Sequence, residues 1–242
     1  IVDRRHFLKQ GATVAGLAAS GHLTSPLGAA EAGTIPKRRL GKTGVELSII
    51  ALGGIVVTDT QPAFARAIVA EAVDRGINYF DVAPSYGNAQ ERLGPALEPY
   101  RDQVFLACKT GERSKAGAQK ELDESLRLLR TDHLDLYQLH HLTTKEEVEQ
   151  VFGPDGAMET FQAARKAGKL RFLGFSAHSV EAALMALDRF DFDTILFPIN
   201  FVLFSQAKFG PQVLAKAREK GMGILALKAM ARTTWPKGGG KH

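Results

Sequence analysis

Cysteine is almost absent from this sequence, because Cys108 is the only one among 242 residues. A single thiol excludes an internal disulfide, and it excludes zinc or iron–sulfur sites that need several cysteines within these residues. It does not decide the redox compartment, since an exported protein with a large core can fold without disulfides.

Long runs of Lys or Arg are also missing, and no basic segment is interleaved with aromatic residues. The formal charge of +5 comes from 31 basic and 26 acidic residues spread along the chain. We therefore expect no nucleic-acid partner. With 45% hydrophobic and 24% charged residues, the composition predicts one globular domain and not a disordered chain.

No apolar run approaches the roughly 20 residues that a membrane-spanning helix needs, so we expect no transmembrane helix in the mature protein. The first residues have the order of a targeting segment. Arg4 and Arg5 are followed by Phe-Leu-Lys, then by a weakly apolar stretch over 11–19, and then by Ala30-Glu31-Ala32. The order of charge, apolar run and small-residue cleavage site is typical of export signals.

The paired arginines resemble the twin-arginine signal, which a receptor reads on proteins that cross a bacterial membrane already folded. We predict that residues 1–32 are such a signal, that the twin-arginine export machinery is a partner, and that the protein is periplasmic or otherwise extracytoplasmic. The alternative is an ordinary amphipathic N-terminal helix with two chance arginines. If residues 1–32 are a signal that is removed, residues 33–242 are the mature domain.

Apolar, β-branched runs alternate with longer amphipathic stretches after this segment, which is the pattern of βαβ units and a parallel sheet. A short hairpin over Lys37–Leu47 comes first and is expected to plug one end of the fold. The seven predicted strands are Ser48–Gly53, Ile77–Val82, Val104–Lys109, Leu134–His140, Leu170–Ser176, Thr194–Ile199 and Gly223–Lys228. The six predicted helices are Pro62–Arg75, Gln90–Tyr100, Ala118–Leu129, Met158–Lys166, Val180–Arg189 and Pro211–Lys220.

A Gly-x-Gly-x-x-Gly turn is absent after the first strand, where Gly53-Gly54 stands alone. This argues against an open doubly wound sheet and favours a (β/α)8 TIM barrel of the α/β class. Polar residues gather at strand C-terminal ends, where barrel enzymes build their active sites. Only about seven βα units are recognisable, so we expect the barrel to be truncated before strand eight.

Four polar residues, Asp81, Tyr86, Lys109 and His140, could act together in catalysis. Reduction of a carbonyl by hydride requires a proton at the oxygen, and a phenol is a reluctant donor unless a nearby cation stabilises its phenolate. Lys109, at the end of an apolar strand, could stabilise the phenolate of Tyr86, and Asp81 could pair with Lys109. His140 could hold the substrate oxygen.

The motifs that carry these residues resemble the aldo-keto reductase family. They are Arg39-Leu40-Gly41-Lys42-Thr43-Gly44, Asp81-Val82-Ala83-Pro84-Ser85-Tyr86-Gly87, Asp135-Leu136-Tyr137-Gln138-Leu139-His140 and Leu173-Gly174-Phe175-Ser176. The resemblance covers nearly all of residues 36–231. It implies a nicotinamide-dependent reductase of aldehydes or ketones, with Tyr86 as proton donor, Asp81 and Lys109 tuning it, and His140 orienting the carbonyl of a small-molecule substrate.

The cofactor side departs from the family pattern. The Asn expected after Ser176 is replaced by Ala177, and Leu227-Lys228 stands where a stacking aromatic is usual. We expect NADP, with NAD possible, and no metal. The predicted cofactor-binding residues are Gly53, Gly54, Asp81, Ser176, Asn200 and Lys228, with His178 as an alternative to Asn200. Residues 143–157 are expected to form part of the substrate pocket wall.

Two other interpretations stay open. A Schiff-base aldolase also uses a barrel and a buried lysine, for which Lys109 and Lys228 are candidates. A non-catalytic barrel that binds nicotinamide and senses its redox state would keep the cofactor residues without turnover. A metal-dependent barrel hydrolase has little support, because no His-x-His follows the first strand.

Overall fold

The structure is a computed structural model that describes residues 35–206 and 209–229. The described part begins with an antiparallel hairpin of β1 (Lys37–Arg39) and β2 (Glu46–Ser48), joined by a 3₁₀ turn over Gly41–Thr43. This matches the hairpin predicted from the sequence. The predicted signal at residues 1–32 lies outside the described residues.

A parallel sheet of seven strands follows, and its spatial order is the chain order from β3 to β9. Two parallel strands that are adjacent both in the chain and in the sheet must be joined by a crossover connection, and here the helices between the strands form these connections. The strands are β3 (Leu52–Gly53), β4 (Tyr79–Asp81), β5 (Phe105–Thr110), β6 (Leu134–Leu142), β7 (Leu170–Ala177), β8 (Thr194–Pro198) and β9 (Gly223–Leu227).

Seven α-helices lie among the described residues. They are α1 (Pro62–Asp74), α2 (Ala89–Leu97), α3 (Lys115–Leu129), α4 (Lys145–Phe152), α5 (Ala157–Lys166), α6 (Val180–Arg189) and α7 (Pro211–Glu219). Six correspond to predicted helices. The seventh, α4, lies in the segment 143–157 that the sequence analysis treated only as pocket wall.

The strand and helix bounds differ from prediction in two instructive places. The first sheet strand is only Leu52–Gly53, because Ser48 ends the hairpin strand β2, where it pairs with Lys37, and residues 49–51 lie in no strand. The second predicted helix ends at Leu97 and continues as a 3₁₀ segment over Glu98–Gln103. Pro99, at the start of that segment, has no N–H to continue the α-helical bonding, which accounts for the change.

Two apolar layers hold the sheet. A large layer lies between the strands and the helices, and it includes the fully buried Phe80, Leu106 and Phe175. A smaller cluster on the other face joins Tyr79, Phe105 and Leu136 to two hairpin residues, Leu40 and Leu47. The hairpin therefore closes the end of the fold where the strands begin, as predicted, and leaves the strand C-terminal ends for a site.

The described strands form a partial barrel. Within residues 35–206 and 209–229, β3 and β9 each pair with one neighbour, while the five strands between them pair on both sides. The same residues contain no helix that is both long and apolar enough to cross a membrane.

Close packing of α2 on α3 generates a stability prediction at Gly94. Ala in a helix interior normally stabilises relative to Gly by about 0.5–1 kcal/mol. A Cβ at Gly94 would instead overlap the Leu128 carbonyl oxygen and lie 2.8 Å from Cα of Leu129. We expect the steric overlap of this Cβ to outweigh the higher helix propensity of alanine, so that Gly94→Ala lowers the free energy of unfolding by about 1–3 kcal/mol.

Urea unfolding of Gly94→Ala measures this effect. Gly111→Ala is the matched control, because a Cβ at Gly111 meets nothing within 4 Å. An equal or greater stability of Gly94→Ala than of the parent protein would show that α2 and α3 are not packed this closely.

Candidate active site

Four predicted catalytic residues lie close together at the C-terminal ends of neighbouring strands. Asp81 ends β4, Lys109 is the penultimate residue of β5, and His140 lies near the end of β6. Tyr86 lies in the loop after β4, where the Tyr86 N–H donates to the Ala83 carbonyl at 3.0 Å and forms a turn. The Thr58 hydroxyl holds the same loop by donating to the Tyr86 carbonyl at 2.9 Å.

Asp81 and Lys109 form the innermost contact of this group. Lys109 Nζ donates to Asp81 Oδ1, and it lies 3.3 Å from the Val82 carbonyl oxygen. The Lys109 side chain is only 1% exposed. Burial lowers the pKa of Lys109, but Asp81 and then Tyr86 raise it, and the net pKa is above the ordinary value of lysine. Lys109 is therefore an ammonium ion at neutral pH.

The second carboxylate oxygen of Asp81 has two polar neighbours that sequence analysis missed. The Tyr79 hydroxyl and Gln138 Nε2 both lie 3.4 Å from Asp81 Oδ2. Burial, and then Asp81, raise the pKa of Tyr79, so that its hydroxyl stays protonated beside the carboxylate. The two-residue period of a strand could have identified Gln138, because it is two residues from His140 and lies on the same face of the strand.

Tyr86 lies between the lysine and the histidine. Lys109 Nζ is 5.2 Å from the centroid of the Tyr86 ring, within the range of a cation–π contact. The Tyr86 and His140 rings are 6.0 Å apart between centroids and nearly perpendicular, at 84°. The three side chains therefore lie close together at the C-terminal ends of the strands.

His140 is neutral in this setting. Burial lowers its pKa to about 4, and the charge of Lys109 contributes next, followed by His141, Arg113 and His178. A neutral imidazole keeps one N–H to donate, so it can hold a carbonyl oxygen without carrying a charge. The phenol of Tyr86 and the imidazole of His140 are thus two donors suited to one oxygen, with a cation beside them.

The backbone at His141 departs from a regular strand. The register between β6 and β7 shifts between Leu139 and Leu142, and His141 has a φ of 61°. In a regular strand, the alternation of side chains would project His141 to the face opposite His140. Its ring instead lies 4.4 Å from the ring of His178, after the end of β7. The bulge interrupts the two-residue period, which accounts for the difference.

The predicted cofactor residues lie on the same edge of the sheet. Gly53 pairs with Asp81 in the register of β3 and β4, and a Cβ there would meet nothing within 4 Å. At Gly54, by contrast, a Cβ would lie 2.9 Å from the Val82 side chain. Gly53 therefore borders open space, whereas a larger residue at position 54 would crowd Val82.

Ser176 is the penultimate residue of β7, and Asn200 and Lys228 follow the ends of β8 and β9. The buried Ser176 Oγ accepts the His141 N–H at 2.8 Å, which leaves its own proton available for a ligand. The Asn200 amide is engaged locally, donating to the Lys228 carbonyl at 3.2 Å and accepting from the Leu203 N–H at 2.9 Å. Asn200 thus tightens the strand ends, and its predicted contact with the cofactor stays a prediction.

His178, the predicted alternative to Asn200, contacts Lys228. Its Nδ1 lies 3.1 Å from Lys228 Nζ. Because a lysine ammonium can only donate, Nδ1 of His178 is the acceptor in this contact. Within residues 35–206 and 209–229, no group of three or more His, Cys, Asp or Glu side chains is arranged to hold a metal ion.

Comparison with known proteins identifies the family. A sequence model of the aldo/keto reductase family matches residues 50–239. An uncharacterized oxidoreductase of Bacillus subtilis, YqkF, is 32% identical over 155 residues, which are 58% of this chain and 48% of the relative. An L-galactose dehydrogenase of Arabidopsis thaliana is 28% identical over 219 residues, covering 81% of this chain and 66% of the relative.

A solved structure agrees with these relatives. The holo form of an aldo-keto reductase from Bacillus halodurans aligns with a TM-score of 0.71 and 26% identity, over 86% of this chain and 72% of that one. Its family supports the interpretation of the seven strands as part of a (β/α)8-type barrel. The chain spans about half the length of the first curated relatives that it matches. With a family match over most of its length, this chain belongs to the aldo/keto reductase family.

Proposed function

We propose that this protein catalyses the reversible, nicotinamide-dependent reduction of an aldehyde or ketone to an alcohol, with Tyr86 as the proton donor. The observation that carries the proposal is the buried Lys109–Asp81 ion pair beside Tyr86, whose ring centroid is 5.2 Å from Lys109 Nζ. Membership of an oxidoreductase family supports the reaction class. The substrate is a small-molecule carbonyl compound.

The chain's own residues have separate tasks in this reaction. The neutral imidazole of His140 orients the carbonyl by donating its ring N–H to the oxygen. Tyr86 donates its proton as negative charge develops on that oxygen, and the Lys109 ammonium stabilises the phenolate that remains. Asp81 keeps the ammonium in place. A bound nicotinamide cofactor supplies the hydride.

The residues present fit the nicotinamide end of such a cofactor. Ser176 has a hydroxyl proton that its bond with His141 does not use, and Gly53 borders open space next to Asp81. Lys228 and His178 add donors at the neighbouring strand ends. We assign the cofactor to these residues and prefer NADP, because the excess of basic residues suits its additional phosphate.

The charge of Lys109 distinguishes this proposal from a Schiff-base aldolase. A lysine that attacks a carbonyl must lose its proton, which requires a lowered pKa. The net pKa of Lys109 is raised, because its interactions, with the Asp81 carboxylate foremost, outweigh the effect of burial. Borohydride trapping with substrate tests the remaining possibility, and covalent labelling of Lys109 or Lys228 would contradict the reductase.

The first prediction for this function concerns the phenol. Tyr86→Phe should reduce turnover of an aldehyde panel by at least 10²-fold, because it removes the proton donor. Binding of NADPH should stay within about threefold of the parent protein, since the hydroxyl is not assigned to the cofactor. Stopped-flow oxidation of NADPH and a fluorescence titration measure the two effects.

Tyr100→Phe is the control for a generic loss of a tyrosine hydroxyl. Near-normal turnover in Tyr86→Phe would contradict the proposed donor. Cofactor binding without any turnover, unchanged in Tyr86→Phe, would instead support a redox-sensing barrel.

The low pKa of His140 predicts a pH dependence of stability. The unfolded chain binds a proton at this residue near pH 6.5, whereas the folded protein does so only near pH 4. Between these values the unfolded state holds more protons, so stability falls as the pH is lowered through this window. His140→Gln should therefore show a shallower loss of stability between about pH 6.5 and 4 than the parent protein does.

Urea midpoints at several pH values measure this difference, with His133→Gln as the control at a histidine whose side chain is 41% exposed. Superimposable pH profiles of the parent protein and His140→Gln would show that the imidazole of His140 is not held neutral by the fold.

A second proposal concerns location and rests on sequence alone. Residues 3–32 direct export in the folded state through the twin-arginine machinery. The double change Arg4→Lys and Arg5→Lys should leave the protein in the cytoplasm of a bacterium that has this pathway, whereas Lys9→Arg should not. Cell fractionation measures the outcome. Unaltered export of the double variant would contradict the proposal.

A further inference from the structure

The backbone that carries His140 is irregular and held from two sides. The bulge at the end of β6 places His141 at a φ of 61°, in a region that non-glycine residues seldom occupy. On one side, the His141 N–H donates to the Ser176 hydroxyl at 2.8 Å. The contacts on the other side all come from Arg113, in the loop that follows β5.

Arg113 binds both carbonyl groups of the bulge. Its Nη2 lies 2.9 Å from the His140 carbonyl oxygen and 3.3 Å from that of His141. Its Nη1 donates to the Gly111 carbonyl at 3.0 Å, which fixes the arginine to its own loop. One planar guanidinium thus joins the backbone of β6 to the loop after Lys109.

A carboxylate from α4 fixes the guanidinium. Glu147 Oε1 lies 2.9 Å from Arg113 Nη2, and the Arg113 side chain is 11% exposed. The other oxygen, Glu147 Oε2, accepts from the N–H and the hydroxyl of Thr143 at 2.7 and 2.8 Å. Burial raises the pKa of Glu147, but the bonds from Thr143 and Arg113 outweigh burial and lower it to about 2. Glu147 remains charged at neutral pH.

We infer that Arg113 is a positioning residue for carbonyl reduction, which it serves by holding the His140–His141 bulge in the conformation that aims the His140 imidazole at the substrate oxygen. This inference rests on the proposed function of His140. The guanidinium is required because its two Nη groups together reach three carbonyl oxygens and a carboxylate, which the single ammonium of a lysine cannot do. Arg113 itself does not contact the reacting atoms.

A second arginine provides a matched control for a purely structural role. Arg101 donates to the Val104 and His133 carbonyls at 3.2 and 3.0 Å, and it lies 3.0 Å from Asp135. Its side chain is 12% exposed, almost the same as that of Arg113. Arg101 lies at the opposite end of the strands. Loss of either arginine should therefore cost similar stability, while only Arg113 should affect His140.

The experiment compares Arg113→Gln, Arg113→Lys and Arg101→Gln in the full chain. Each variant is measured for kcat and aldehyde KM, for the Kd of NADPH, and for the imidazole NMR signals of His140 without cofactor, assigned with His140→Gln. In Arg113→Gln we expect kcat/KM to fall by about 10²-fold, with a lower kcat and a higher aldehyde KM, because a misplaced donor costs roughly that much. The Kd of NADPH should change by less than about twofold, and the His140 signals should shift or broaden.

The other variants complete the test. Arg113→Lys should recover part of the lost kcat/KM, and Arg101→Gln should keep kcat/KM within about threefold of the parent protein with unmoved His140 signals. The inference would be overturned if Arg113→Gln kept kcat/KM within about threefold of the parent protein. It would also be overturned if Arg101→Gln lost as much kcat/KM as Arg113→Gln does. If Arg113→Gln does not fold, Arg113→Lys and Glu147→Gln decide by the same readouts.

The NMR readout separates this inference from the proposed function. If the parent protein reduces no aldehyde, the proposed function fails, and the His140 signals alone decide about Arg113. Signals that move in Arg113→Gln but not in Arg101→Gln would support the inference that Arg113 holds the His140–His141 bulge in place. Signals that are unmoved in both variants would refute it.

Discussion

The ion pair between Asp81 and Lys109 is the interaction on which the site depends. A lysine that is 1% exposed can stay charged only if a counter-charge offsets the loss of hydration. The parallel order of the sheet provides that charge, because β4 and β5 are neighbours and both end at the same edge. Two further polar groups, Tyr79 and Gln138, contact the carboxylate from inside the barrel.

The charge of Lys109 then determines the state of its neighbours. It lies within reach of the Tyr86 ring, and it contributes to the low pKa of His140, after burial. In the proposed reaction the charged lysine stabilises the phenolate of Tyr86, and it adds to the burial that lowers the pKa of His140. One buried cation links these two properties, which carbonyl reduction requires together.

The two halves of the predicted site differ in what the structure brings together. The four residues predicted for proton transfer lie close to one another. On the predicted cofactor half, Ala177 and Leu227 stand where the sequence analysis expected other residue types, and the Asn200 amide donates to the Lys228 carbonyl. Ser176 connects the halves, because its hydroxyl supports the His141 bulge while its proton remains available to a ligand. A change at Ser176 would therefore affect both halves.

Much of this arrangement followed from the sequence. Parallel strand ends predicted the cluster of Asp81, Lys109 and His140, because residues that follow such strands meet at one edge. Helix α4 was missed although its signal was present, since Thr144 and Glu147 form a capping box. The bulge at His141 was not predictable, because a register shift depends on contacts between strands and not on the local pattern.

The protonation state of Lys109 tests the account most directly. NMR of the lysine ¹⁵Nζ, compared between the parent protein and Asp81→Asn, reports whether the side chain is an ammonium and how strongly Asp81 maintains it. The account predicts an ammonium signal that persists to at least about pH 9 in the parent protein and a lower pKa of Lys109 in Asp81→Asn, where burial acts without its counter-charge. A neutral Lys109 amine at neutral pH in the parent protein would contradict it.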